Sequence, residues 1–297
     1  MATVFLNGRF VESGDARVSA FDAGLTHAVG LFETMAGGVR EGEAVVTRLH
    51  DHLDRLALSA QQLRLTDELR KPALAEAVLR TVEKEGSQRQ RVRLSITGGD
   101  LNLLSAGEGR AHDPTVLITS QPATQYPDAM FAQGVVAAIA DAKANPFEPT
   151  ASHKTLNYWW RLSALRDASV KGAAEALVFQ VTNHLCGGCV SNAFVVKDGA
   201  LFTPIARGEE AAGALPSPVL PGITRGAVID AARELGIDVT ARMLTIDDVL
   251  GADELLLTNS SWGVLPVVAV EASKIGGGAV GETARALRER LVDEPAA

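Results

Sequence analysis

The chain is poor in several residue types, and each shortage excludes something. Its 297 residues include only two cysteines, two tyrosines, three tryptophans and four methionines, and aromatic residues make up 5%. Two cysteines cannot build a disulfide framework. They stand as Cys186-Gly187-Gly188-Cys189. A thioredoxin-like redox pair needs that spacing at the start of a helix, whereas the flanks here have the pattern of strand and turn. A zinc centre needs two further ligands, and only His184 is close in sequence, so no metal is expected. Basic charge is also scarce: 28 Lys and Arg stand against 36 Asp and Glu, a formal net charge of -8. Nucleic acid and anionic membrane surfaces both attract basic proteins, so neither is an expected partner. No apolar run approaches the length of a membrane span. The first residues are strand-like, with no charged and then apolar leader pattern, which leads to the expectation of a cytoplasmic protein. Internal repeats and low-complexity segments are absent.

What is present is enough apolar residue, 46%, to fill sizeable cores, and the pattern divides into two parts. Asn7-Gly8 separates two short apolar runs as a hairpin. Further strands are expected at 30–35, 44–47, 91–97 and 115–119. Leucines and alanines at helical spacing give helices over 48–63 and 72–84. These elements make a smaller α+β domain over 1–122. Residues 123–127, between Pro122 and Pro127, read as a linker, and the glycine-rich stretch 98–113 as a mobile loop. A larger domain over 128–297 follows. Its expected strands are 134–140, 176–180, 193–196, 201–203, 238–241, 255–258 and 264–268, and its helices 155–171, 223–235 and 280–292.

One lysine stands at a junction. Asn145 to Pro149 is a turn-rich connector that forbids helix. Leu156, Trp160, Leu162, Leu165 and Val170 then recur at helical spacing, so Lys154 is expected where a loop hands over to a helix. A lysine there can face a cleft or simply solvent. Three other stretches bear on the choice. Pro221-Gly222-Ile223-Thr224 is a glycine turn running into a helix, whose free N–H groups and positive dipole end attract anions. Thr258-Asn259-Ser260-Ser261 ends a strand in small polar side chains. Arg55 interrupts the helix over 48–63. A lysine able to form a Schiff base, two anion-friendly turns and an arginine suit an aldehyde cofactor that carries a phosphate.

In this order and spacing the chain resembles the fold type IV, or class IV aminotransferase, family of pyridoxal-phosphate enzymes. That family includes branched-chain aminotransferases, D-amino-acid transaminases and 4-amino-4-deoxychorismate lyases. The resemblance rests on Phe5-Leu6-Asn7-Gly8-Arg9-Phe10, Gly30-Leu31-Phe32-Glu33-Thr34, His52-Leu53-Asp54-Arg55-Leu56, Asn145-Pro146, His153-Lys154-Thr155-Leu156-Asn157, Ser191-Asn192 and Pro221 to Arg225, together with the strand from Thr258 to Pro266. It implies a smaller N-terminal α/β sandwich and a larger C-terminal, mixed β-barrel-like domain with helices, in a homodimer whose site lies between the domains. It implies that Lys154 carries the cofactor, pyridoxal 5'-phosphate, as a Schiff base and moves the Cα proton. Arg55, the N–H groups of Ile223 and Thr224, and Ser260 would hold the phosphate, with Tyr158 near the phenolic oxygen or simply packed.

The chain also departs from the family pattern. The family's glutamate at the pyridine nitrogen falls on Gly187 here. Loss of a carboxylate there weakens the ring as an electron acceptor. His184, Cys186 and Cys189 are the nearby substitutes, but a thiol is a weak donor, so slow or unusual chemistry is expected. Gly98 and Phe32 stand where D-amino-acid enzymes carry an arginine and an aromatic hydroxyl, and Val29 where the family usually has an aspartate. Phe32, Arg93 and Ser261 are the candidate substrate residues. Arg93 is either a carboxylate ligand or a structural strand residue. Trp159 and Trp160 are expected in core and interface, and Asn157 as a helix cap. The expected activity is an aminotransferase for a small amino acid or amine. The alternatives are pyruvate elimination of the aminodeoxychorismate type, and a non-catalytic dimeric binding protein.

Overall fold

The structure, a computed structural model, describes residues 3–66, 68–100 and 114–292. The expected mobile loop over 98–113 therefore falls, from 101 onward, outside the described residues. The chain forms two compact units. Among the described residues, one comprises those up to Thr124 together with His153–Asn157; the other comprises Gln125–Ser152 and those from Tyr158 on.

The first unit is a six-stranded sheet packed on helices. In chain order it holds β1 (Thr3–Leu6), β2 (Arg9–Glu12), α1 (Ala23–His27), β3 (Gly30–Arg40), β4 (Glu43–Val46), α2 (Leu49–Gln62), α3 (Lys71–Glu85), β5 (Gln90–Thr97) and β6 (Val116–Pro122). The sheet order is β2-β1-β6-β5-β3-β4, antiparallel in every pair. Asn7 and Gly8 both take positive φ in the first hairpin, so the asparagine-glycine pair does what its chemistry allows. Leu31, Met35, Leu94 and Ile118 from the sheet meet Leu53, Leu56, Val78 and Val82 from α2 and α3 in one buried core. β3 runs longer than its apolar pattern suggested, because Ala36 to Arg40 pair with β5 or β4 despite two glycines. The five-residue α1 was not expected. It is capped by Asp22, whose side chain accepts from the Gly24 N–H.

The second unit holds α4 (Asp128–Ala132), β7 (Val135–Ala144), α5 (Trp159–Val170), β8 (Glu175–Gln180), β9 (Leu185–Gly188), β10 (Asn192–Lys197), β11 (Ala200–Thr203), α6 (Ile223–Glu234), β12 (Val239–Ala241), α7 (Ile246–Leu250), β13 (Glu254–Asn259), β14 (Gly263–Val270), β15 (Ser273–Lys274) and α8 (Glu282–Val292). Its sheet runs β12-β11-β10-β13-β14-β7-β8-β9, with β15 on β14. The β7-β8, β7-β14 and β11-β12 pairs are parallel and the rest antiparallel. The path is barrel-like, because β9 leads directly back to β10 and the Gly188 N–H donates to the Ser191 carbonyl at 2.9 Å. Alternation along β13 puts Leu255 and Leu257 in the inner core, and Leu256 with Phe194 under α6 and α8. β9, α4 and α7 were missed. β9 contains two adjacent glycines and a cysteine, which hides its strand character.

Three expectations around α5 are corrected. The helix begins at Trp159, not near residue 155. Its N-cap is Tyr158 with no side-chain cap hydrogen bond, so Asn157 does not cap it. Trp159 and Val170 are 84% and 83% exposed in the single chain and Leu162 is also exposed, while Trp160 packs partly buried against the core as expected; only Ala168 of this helix is fully buried. The apolar spacing misled because small alanines, more than the large side chains, face β7 and β8. Among the described residues, no helix is long and apolar enough to cross a membrane.

Candidate active site

In the first unit, His153–Asn157 lies along β3 as an added extended segment. The Phe32 N–H donates to the Lys154 carbonyl at 2.9 Å, the Leu156 N–H donates to the Gly30 carbonyl at 3.0 Å, and Leu31 faces Thr155 in an antiparallel bridge. Ser152, at φ 67°, turns the chain into this segment. The lysine is thus clamped to a sheet several residues before the helix, rather than at its start. Gly30 permits the approach: a Cβ there would lie 2.7 Å from Leu156 Cδ1 and 2.6 Å from the Ile96 carbonyl oxygen. His153 Nδ1 lies 3.0 Å from Ser59 Oγ on α2.

The lysine Nζ sits 4.6 Å from the centroid of the Phe32 ring, and the Arg93 guanidinium 3.8 Å from the same centroid. Phe32 therefore holds two cations by its π-system. Arg93 Nε donates to Ser95 Oγ at 3.1 Å. Phe32 is buried, whereas Arg93 is exposed. The fold thus brings Lys154, Phe32 and Arg93 together on one side of the sheet.

The alternate residue, Glu33, faces α2 with Leu31 and Met35. Its buried carboxylate accepts from His52 Nδ1 at 2.7 Å and from Arg55 Nε and Nη2 at 2.9 and 2.5 Å. Burial alone would push Glu33 up, but the Arg55 charge and the His52 hydrogen bond overcome it and hold the carboxyl at about 2. Burial pushes His52 down, and the nearby Arg55 and Lys154 charges add to this against the pull of Glu33. His52 is thus a neutral donor, and Glu33 orients Arg55 by a bidentate pair. No role was read for Glu33 or His52 from sequence. The available signal was that His52 and Arg55, three apart on one helix face, lie beside Leu49, Leu53 and Leu56 and so require a buried acid.

In the second unit, Gly222 is the N-cap of α6 with no side-chain cap bond, so the first-turn N–H groups, including those of Ile223 and Thr224, have no acceptor within the helix. Thr224 Oγ1 lies 3.3 Å from Ser260 Oγ. Ser260 and Ser261 sit in the turn between β13 and β14, where Asn259 Oδ1 accepts from the N–H groups of Ser261 and Trp262 at 2.9 and 3.1 Å. Thr258 Oγ1 and Trp262 Nε1, flanking this turn, are buried with no hydrogen-bond partner among the described residues. A helix N-terminus beside paired hydroxyls fits a phosphate group. Tyr158 has the Arg161 guanidinium 5.7 Å from its ring.

The other end of such a cofactor fits less well. Gly187 lies in β9 at φ +140°, where a Cβ would come 2.6 Å from the Ser191 carbonyl oxygen, so no carboxylate is supplied there. Burial pushes the Cys186 and Cys189 thiols up to about 12, and neither donates charge. His184 Nδ1 lies 3.0 Å from Thr182 Oγ1 at an exposed position. Glu175, fully buried beside β9, has two oxygens that already accept four hydrogen bonds, and burial pushes its carboxyl up despite them. Among the described residues, no cluster of metal-ligating side chains is found.

A sandwich-type sheet with two helices, joined in one chain to a mixed barrel-like sheet, is the architecture of fold type IV enzymes. The family profile described as Amino-transferase class IV matches residues 30–270, and the chain belongs to that family. A putative branched-chain-amino-acid aminotransferase of Methanocaldococcus jannaschii is 32% identical over 293 residues, covering 98% of this chain and 95% of that protein. An aminodeoxychorismate lyase of Bacillus subtilis is 25% identical, covering 92% and 88%. Among solved structures, the Escherichia coli branched-chain amino acid aminotransferase superposes with a TM-score of 0.86 at 27% identity, covering 98% of this chain and 93% of that one. The branched-chain amino acid aminotransferase of Thermobaculum terrenum, solved in its PLP form, gives 0.83 at 25% identity, covering 97% of this chain and 92% of that one.

Proposed function

We propose that the protein is a pyridoxal 5'-phosphate-dependent aminotransferase for a small amino acid or amine, working as a cytoplasmic homodimer, with Lys154 as its catalytic residue. The observation that carries this reading is the double backbone clamp of Lys154 on β3, with its amine over Phe32. When bound, the cofactor supplies an aldehyde for imine exchange and a conjugated ring that accepts electrons from the substrate carbon. Lys154 Nζ takes the proton from that carbon as a base and returns it at the adjacent position. The N–H groups of Ile223 and Thr224, the hydroxyls of Thr224 and Ser260, and Arg55 hold phosphate oxygens. Tyr158 serves the phenolic oxygen. Arg93 and Ser261 bind the substrate's polar end, and Phe32 orders Arg93 by stacking. Exposed Phe21 and Leu25, at and beside α1, are apolar surface that a second subunit would cover.

The strand carrying Gly187 supplies the ring nitrogen with no acid, and Glu175 is committed to other donors. The transamination rate is therefore below that of an enzyme with a carboxylate at the nitrogen. A second reading, pyruvate elimination, is supported by the lyase relative. A substrate panel with and without a 2-oxo acid separates the two. A transaminase turns over only with the acceptor, whereas a lyase releases pyruvate without one. No turnover in either arm, with cofactor bound, leaves the non-catalytic binding protein.

A further inference from the structure

Glu175 is a fully buried carboxylate with no cation paired to it among the described residues. Burial pushes this carboxyl up, against four hydrogen bonds that pull it down, and a buried carboxyl is costly unless donors replace its water. Here the donors are specific. Oε1 accepts from the N–H groups of Ala176 and Cys189 at 3.0 and 3.1 Å; Oε2 accepts from the Val190 N–H and Ser191 Oγ at 3.2 and 2.9 Å. Three of these four donors belong to the short turn between β9 and β10. Glu175 itself stands at the start of β8, so one side chain ties that turn to the neighbouring strand.

The turn is in contact with both candidate anion-binding loops. The Val190 carbonyl accepts from Asn259 Nδ2 at 3.2 Å, and the same Asn259 side chain shapes the Ser260-Ser261 turn through its oxygen. Asn192, immediately after the turn, donates from Nδ2 to the Leu220 carbonyl at 2.9 Å, and its Oδ1 packs so close to Gly222 that any side chain there would overlap it. One arm thus reaches the loop of Ser260, and the other the N-terminus of α6 with Thr224. From the opposite side Arg161 Nη1 donates to the Cys189 carbonyl at 2.9 Å, so the peptide is held at both ends.

We propose that Glu175 is the positioning residue for the phosphate grip: by fixing the β9-β10 turn it sets where Asn192 and Asn259 hold the Thr224 and Ser260 loops. This rests on the cofactor reading above, and Glu175 itself touches no ligand. The test is Glu175→Gln. A glutamine amide offers one acceptor and two N–H donors: with its NH₂ toward Ala176 and Cys189 two of the four bonds are lost, and with it toward Val190 and Ser191 the Val190 N–H loses its acceptor while the Ser191 hydroxyl turns to accept.

Dissociation constants for pyridoxal 5'-phosphate and for pyridoxal, which lacks the phosphate, are measured on wild type and variant, with inorganic phosphate as a third probe read by its ³¹P line width. The expected result is weaker binding of pyridoxal 5'-phosphate and inorganic phosphate by about tenfold or more, with pyridoxal changed less than about twofold. Equal loss for both aldehydes, or no loss for either, overturns the positioning role. Wild type that binds neither aldehyde overturns the cofactor reading and this proposal with it. Ser191→Ala removes a single donor and preserves the carboxylate. Should Glu175→Gln not fold, Ser191→Ala is expected to give the same phosphate-selective loss at smaller size, and a loss without that selectivity overturns the proposal.

Discussion

Replacing Glu33 with glutamine removes the charge that holds Arg55 and His52 while keeping the side chain's size. The magnitude follows from two routes. A carboxyl held at about 2, rather than the 4.5 of a solvated glutamate, corresponds to about 3 kcal/mol of stability at pH 7. Breaking a buried ion pair by removing one partner costs about 3–5 kcal/mol, because the other charge is left behind. Both routes give a loss of about 3 kcal/mol for Glu33→Gln. The pH dependence fixes the cause. The folded-state pKa is depressed, so the stabilisation is fully present above 4.5 and is lost as pH falls through the folded value near 2. Urea unfolding of wild type and variant, followed at a series of pH values, should therefore show a gap of about 3 kcal/mol at pH 7 that closes between pH 4.5 and 2. His52 adds to the acid sensitivity of wild type: its pKa is lowered on folding, so the unfolded chain takes a proton first as pH falls below 6.5. A gap under about 1 kcal/mol, or one that does not vary with pH, would refute the buried pair as described.

Gly187→Glu should lower the urea midpoint by an amount equivalent to about 2 kcal/mol, since the new residue combines positive φ with a Cβ against the Ser191 carbonyl. It should give no rate gain; a stable, faster variant would contradict the geometry of β9. Cys186 and Cys189, buried with thiols pushed up to about 12, should not react with a thiol reagent at about pH 8 in the native protein, and both should react in urea. Rapid native labelling would mean that β9 opens. Arg93→Ala should raise KM for an amino acid with little change in cofactor affinity, whereas a purely structural arginine would leave KM alone.

Elements with strong local chemistry were legible in the sequence. The Asn7-Gly8 hairpin, the leucine face of α2 and the alternation of β5 all state their structure in a few residues. Lys154 and the glycine turn before α6 were also readable, because each is a local feature of type and spacing. The backbone setting of the lysine was not. Pairing between residues 30–32 and 154–156 is a long-range match that no periodicity records, and the apolar residues after it suggested a helix that in fact starts later. The roles of Glu33 and Glu175 were hidden for a related reason. Each is an acid inside a strand pattern, and only the fold brings its donors, nineteen residues away for His52 and fourteen to sixteen for the β9-β10 turn, into contact. Adjacent glycines at Gly187 and Gly188 concealed β9 itself, since glycine weakens every strand signal.

The central claim is that Lys154 forms the covalent bond to the cofactor. The direct measurement is to mix purified protein with pyridoxal 5'-phosphate, record the visible spectrum, reduce with borohydride, and map the modified peptide by mass. The predicted result is an imine absorption band that disappears on reduction, with the phosphopyridoxyl adduct on Lys154 at one per chain, and no such adduct in Lys154→Ala. An adduct spread over surface lysines, or a band that persists in Lys154→Ala, would contradict the account.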